Sequence, residues 1–141
     1  MASRRQARER ALQALYQGEV SGETPGAEGL FWSHFDADDE AGVFARELVA
    51  GVRAEQARID ALLADAVEHW ELGRLARVDL SLLRMAVYEM MARPEIPHAV
   101  TIDEAVEIAG RFGSGDSPAF VNGVLDRVAR TLGRKQSGEG R

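Results

Sequence analysis

Three arginines and a tyrosine near the start of the chain are the residues best suited to chemistry. In the run Arg4-Arg5-Gln6-Ala7-Arg8-Glu9-Arg10-Ala11-Leu12-Gln13-Ala14-Leu15-Tyr16, helical spacing puts Arg5, Arg8, Leu12 and Tyr16 in an arc of about 80°. That arc flanks an apolar stripe of Ala7, Ala11 and Ala14, and Arg4 stands beside it. Guanidinium groups bind phosphate bidentately and stack on bases, and a tyrosine ring offers a second stacking face. This is the composition of a single-stranded RNA site. The same residues also fit a solvated basic helix end with Tyr16 turned into the core, and their types alone leave both readings open.

Other candidate chemistry is sparse. The 141 residues contain no cysteine, which excludes disulfides, thiolate metal sites and cysteine nucleophiles. His34, His69 and His98 are scattered and form no His-x-x-x-His or Glu-x-x-His pair, so no metal site is expected. Asp36, Asp38, Asp39 and Glu40, with Glu47, mimic a calcium loop. Ala41 stands where that loop needs glycine, and Val43, Phe44, Leu48, Val49 and Val52 run a helical stripe across it. These carboxylates are better placed as a helix N-terminal cap. Gly110-Arg111-Phe112-Gly113-Ser114-Gly115 has the look of a phosphate loop, but it follows a helix and lacks the Gly-Lys-Ser/Thr ending. It reads as a helix C-terminal cap. No serine lies in a nucleophile elbow, and neither catalysis nor a cofactor is expected.

The elements that must position the arginines are all helical. A first helix spans about residues 3–19, a loop 20–29, and a short helix about 30–35. Two further helices follow the acidic cluster, the second over about 55–70 with Ile59, Leu62, Leu63, Ala66, Val67 and Trp70 on one face. Residues 75–92 are apolar on more than one side, which predicts a central helix ended by Pro94. Thr101-Ile102-Asp103-Glu104 has the form of a capping box and predicts the next helix start. Ser117-Pro118 supplies an N-cap and first-turn proline for a last helix reaching about Leu132. Inside it, Asn122-Gly123 interrupts an apolar repeat. The expected reasons are a glycine admitting a neighbouring helix and an amide tying the turn from Gly113 to Asp116.

The expected fold is all-α, with about seven helices in two packed three-helix subdomains forming one compact domain. Its parts are residues 1–72, residues 73–133 and a disordered tail at 134–141. Net charge is −6, yet residues 1–17 hold four arginines against one glutamate, so positive charge gathers at one end. No signal-peptide core and no membrane-spanning segment is present, which predicts a soluble cytoplasmic protein.

With these residues placed, the chain resembles the NusB family of transcription antitermination factors over nearly its whole length. Four ordered blocks carry the resemblance. They are Arg4 to Tyr16, Leu83-Arg84-Met85-Ala86-Val87-Tyr88-Glu89, the stretch from Ile96 to Glu107, and Phe120-Val121-Asn122-Gly123-Val124-Leu125-Asp126. The resemblance implies a non-catalytic protein that pairs with NusE, a small-subunit ribosomal protein. The pair would bind the boxA element of nascent ribosomal RNA and help RNA polymerase read past terminators. Carried over by position, the RNA-facing set is Arg4, Arg5 and Arg8, with Tyr16, Asp79 and Asp116 at its border. The chain has Gln6 where the family often has a basic residue, and Met1-Ala2-Ser3 where it often has lysines, which implies weaker or more partner-dependent RNA affinity. A helical adaptor whose arginine flank meets an acidic partner, or a second copy of the chain, is the alternative that sequence leaves open.

Overall fold

The computed structural model describes residues 4–21, 39–67 and 71–137, and among them the regular structure is entirely helical. Five α-helices are described rather than about seven: α1 Arg4–Ser21, α2 Glu40–Ala66, α3 Arg77–Ala92, α4 His98–Phe112 and α5 Ser117–Ser137. A 3-10 turn, Leu72–Arg74, leads into α3. The expected short helix at about 30–35, and His34, His69 and Trp70, lie outside the described residues. No described helix is long and apolar enough to cross a membrane.

The two helices expected after the acidic cluster meet at a kink at Glu55, where the second was expected to begin, and together form α2. Asp39 is its N-cap, with Oδ1 accepting the Gly42 N–H at 2.6 Å, as the cap reading of the acidic cluster requires. The helix then continues through Glu55, where φ −110° and ψ 15° mark a kink. Val52 and Ile59 explain the continuity. They are two turns apart and both buried, so the apolar stripe stays in phase across the kink and no glycine or proline interrupts it.

Helix α3 is central, as its apolar breadth predicts. It packs against α1, α2, α4 and α5, and Leu80, Leu82, Leu83, Met85, Val87 and Met90 are buried along it. Helix α1 lies in the angle between α2 and α3, where the small side chains of Ala7, Ala11 and Ala14 allow close approach. Helices α4 and α5 pair with each other, and both pack on α3. Arg127 of α5 donates to the Ala66 carbonyl at 2.9 Å, which satisfies a terminal acceptor of α2.

Several expected boundaries move. Helix α4 begins at His98 with Pro97 as N-cap, three residues before Thr101. The capping box fails because both of its side chains are used in tertiary contacts: Thr101 Oγ1 donates to Glu89, and Glu104 receives Arg5. Ser117 is the first residue of α5, and its buried hydroxyl accepts the Ser114 N–H at 3.0 Å, tightening the turn between the last two helices. Helix α5 runs to Ser137, beyond both the expected end at Leu132 and the expected start of a disordered tail.

The glycine of close approach is Gly51, not Gly123. A Cβ at Gly51 would strike the ring of Tyr88 on α3, whereas a Cβ at Gly123 would meet nothing within 4 Å. Asn122 is exposed and makes no described hydrogen bond to the Gly113–Asp116 turn. Gly113 has its own steric reason, since a side chain there would press on Ser117 and on the Ala109 carbonyl.

Candidate nucleic-acid interface

The arginine flank of α1 divides into an outward and an inward part. Arg5 faces solvent with half of its side chain exposed, and Tyr16 is exposed further along the helix. Arg8 and Leu12 turn into the core, each 3% exposed. This corrects the expectation that Arg8 stands among the outward arginines. Its position on the helix explains why: at about 100° per residue, Arg8 falls between Leu15 and Leu12 and therefore within the buried sector. That angle was the available signal in the sequence.

A charge can be buried there because α3 and α4 supply its partners. Arg8 Nε and one terminal nitrogen grip the two oxygens of Glu89 at 2.7 and 2.6 Å, a bidentate pair. Glu89 is fully buried, and Thr101 Oγ1 donates to it at 2.7 Å from α4. The other terminal nitrogen of Arg8 reaches Glu104 at 3.5 Å. The guanidinium of Arg8 also lies 5.7 Å from the Phe44 ring centre, with Arg4 at 5.8 Å and Arg93 at 4.8 Å. Arg8 thus ties α1 to α2, α3 and α4 together.

Arg5 is held but not consumed. Its Nε and one terminal nitrogen bind Glu104 at 3.2 and 2.7 Å, while half of the side chain stays exposed. The hydrogen bond to Arg5, reinforced by its charge, holds the Glu104 carboxyl below the ordinary carboxylate range, and raises Arg5 in turn. A second bridge of opposite polarity joins the same helices, from Arg111 on α4 to Glu9 on α1.

Asp79 and Asp116 come together. They line one cleft of about 240 Å³ between the start of α3 and the turn before α5, along with Arg74, Ser114, Ser117 and Phe120. Asp79 is 8% exposed, and its Oδ1 has no hydrogen-bond partner among the described residues. Asp116 is exposed at the rim. No described contact joins this cleft to the Arg5 edge. Sequence reasoning did not find Glu89, Glu104, Arg111 or Phe112 as part of this region. Only Glu89, an acid in the middle of an apolar helix, carried a visible signal.

These features define a small protein, all-helical among its described residues, with a cationic, aromatic edge on its first helix and an acidic cleft between the start of α3 and the turn before α5. The NusB family model matches residues 5–130, and the chain belongs to the NusB family. It is 47% identical to the transcription antitermination protein NusB of Sorangium cellulosum (strain So ce56) over 95% of this chain and 96% of that one. It is 47% identical to the protein of the same name from Geobacter sulfurreducens, over 94% of this chain and 97% of the relative. Among solved structures, T. maritima NusB superposes with a TM-score of 0.86 at 38% identity, covering 98% of each chain.

Proposed function

We propose that this chain is a non-catalytic, RNA-binding transcription antitermination factor. It binds the boxA element of nascent ribosomal RNA together with NusE and promotes read-through by RNA polymerase. Family membership over nearly the whole chain supports the class of function. The observation that carries the RNA reading is the outward fork of Arg5, held in place by Glu104 and flanked on the same helix by Arg4 and Tyr16. Arg8 enters this reading as the residue that seats α1, and Asp79 and Asp116 as an acidic border. The proposal keeps the division into halves at 1–72 and 73–133, with α3 as the helix on which both halves pack.

Few cations are offered by this edge on a chain of net charge −6, so binding should be weak alone, with a shallow logarithmic salt slope. A partner adding its own RNA contacts raises avidity without altering either site. The test is fluorescence anisotropy of a labelled boxA-like RNA over a salt series, with and without NusE. Arg5→Ala should weaken binding and flatten the logarithmic salt slope by about 0.7. Asp116→Asn should tighten binding by removing a like charge from the border. Curves identical to wild type for Arg5→Ala would remove the RNA site from α1. Capture of NusE without RNA binding would favour the adaptor.

A further inference from the structure

The turn that closes α4 carries two side chains that helix capping does not use. Arg111 leaves 57% of its side chain exposed, and Phe112 is 40% exposed although it is a large apolar residue. Their placement is fixed by contacts. The guanidinium of Arg111 lies 5.5 Å from the centre of the Phe112 ring, and its terminal nitrogen binds Glu9 of α1. Glu9 follows Arg5 by one turn of α1, while Glu104, the partner of Arg5, precedes Arg111 by two turns of α4. The two bridges therefore lie side by side across the same pair of helices. They bring the end of α4 to the edge where Arg5 faces out.

We propose that Arg111 and Phe112 are a second contact for single-stranded RNA, with the Phe112 ring as a stacking platform for one nucleobase and Arg111 as a phosphate donor. The inference rests on the RNA-binding reading of α1 and extends that surface onto α4. A guanidinium over an aromatic ring is attracted to it and restrains it, so the platform is ordered before a base arrives. Base stacking on an exposed ring tolerates any sequence, because every base has a π-face. The Arg111 fork keeps donors beyond the nitrogen bound to Glu9. Glu9 and Glu104 offset much of the positive charge here, so the Phe112 contact should depend little on salt.

The experiment uses the full chain and a single-stranded RNA labelled with fluorescein and carrying a fluorescent purine analogue, measured over a salt series. Phe112→Leu keeps apolar bulk but removes the ring, and should weaken binding about five-fold or more with an unchanged salt slope and reduced quenching of the purine analogue. Phe112→Tyr should bind as wild type does. Arg111→Gln should lower the slope by about 0.7. If Arg5→Ala weakens binding while Phe112→Leu and Arg111→Gln bind like wild type, the second contact is overturned and the α1 reading stands. If none of the three changes binding, both fall.

Discussion

Arg5 and Arg8 are one turn apart on α1 and end in opposite environments. Arg8 sits among Phe44, Glu89 and Thr101, and Arg5 presents a partly engaged fork to solvent. Removing one partner of a buried ion pair leaves an uncompensated charge, at about 3–5 kcal/mol. Glu89→Ala should therefore lower unfolding free energy in urea by that order, and Arg8→Ala should act the same way. An Arg8→Met, Glu89→Leu double variant should regain much of the loss, because no lone charge remains. A double variant as unstable as the single ones would refute this account. Arg8→Ala is thus a folding variant and a poor probe of RNA contact. The type of each arginine was legible in the sequence, and the angle of Arg8 between two leucines was there to mark it as inward, although the reading from sequence set it among the outward arginines. The identity of its partners was not legible, since Glu89 and Glu104 arrive from helices far along the chain.

At the scale of elements, periodicity served well and single-residue punctuation was mixed: Asp39 caps α2 and α3 ends before Pro94 as expected, but other signals misled. The apolar stripes of α1, α2 and α3 are buried as their spacing requires. Thr101-x-x-Glu104 matched a capping pattern, but its side chains had stronger partners in other helices. Glycine was similarly ambiguous. Gly51 admits the tip of the Tyr88 ring, whereas the space beside Gly123 is open. Gly51→Ala should destabilise the protein by about 1–3 kcal/mol through displacement of Tyr88. The penalty should shrink in a Tyr88→Ala background, where nothing remains to displace. Gly123→Ala should instead stabilise by about 1 kcal/mol, since alanine is the better helix former and meets no neighbour. Thermal melts of these variants check both signs, and a destabilised Gly123→Ala would contradict the open space beside it.

For the whole molecule, the Arg5–Glu104 bridge between α1 and α4 makes stability depend on pH. Glu104 is held below the ordinary carboxylate value of 4.5 by its bond to Arg5, so its contribution is complete above that value. It is lost as pH falls through the lowered folded value, because the unfolded chain then binds the proton more readily. Urea melts from neutral pH down to about pH 3 should show a shallower acid loss for Glu104→Gln than for wild type. Parallel curves would place the acid sensitivity elsewhere. This part of the site was the least legible in sequence: which helix meets α1 is decided by the packing of all five, and no local pattern records it. The buried clamp on Arg8 has a last consequence, which concerns register. Sliding α1 by one turn would set Arg4 or Leu12 opposite Glu89, either replacing the arginine that meets Glu89 and Glu104 or leaving the acid without a cation. The clamp therefore acts as an index pin. It fixes the axial position of the first helix, and with it the height at which Arg5 meets an incoming strand.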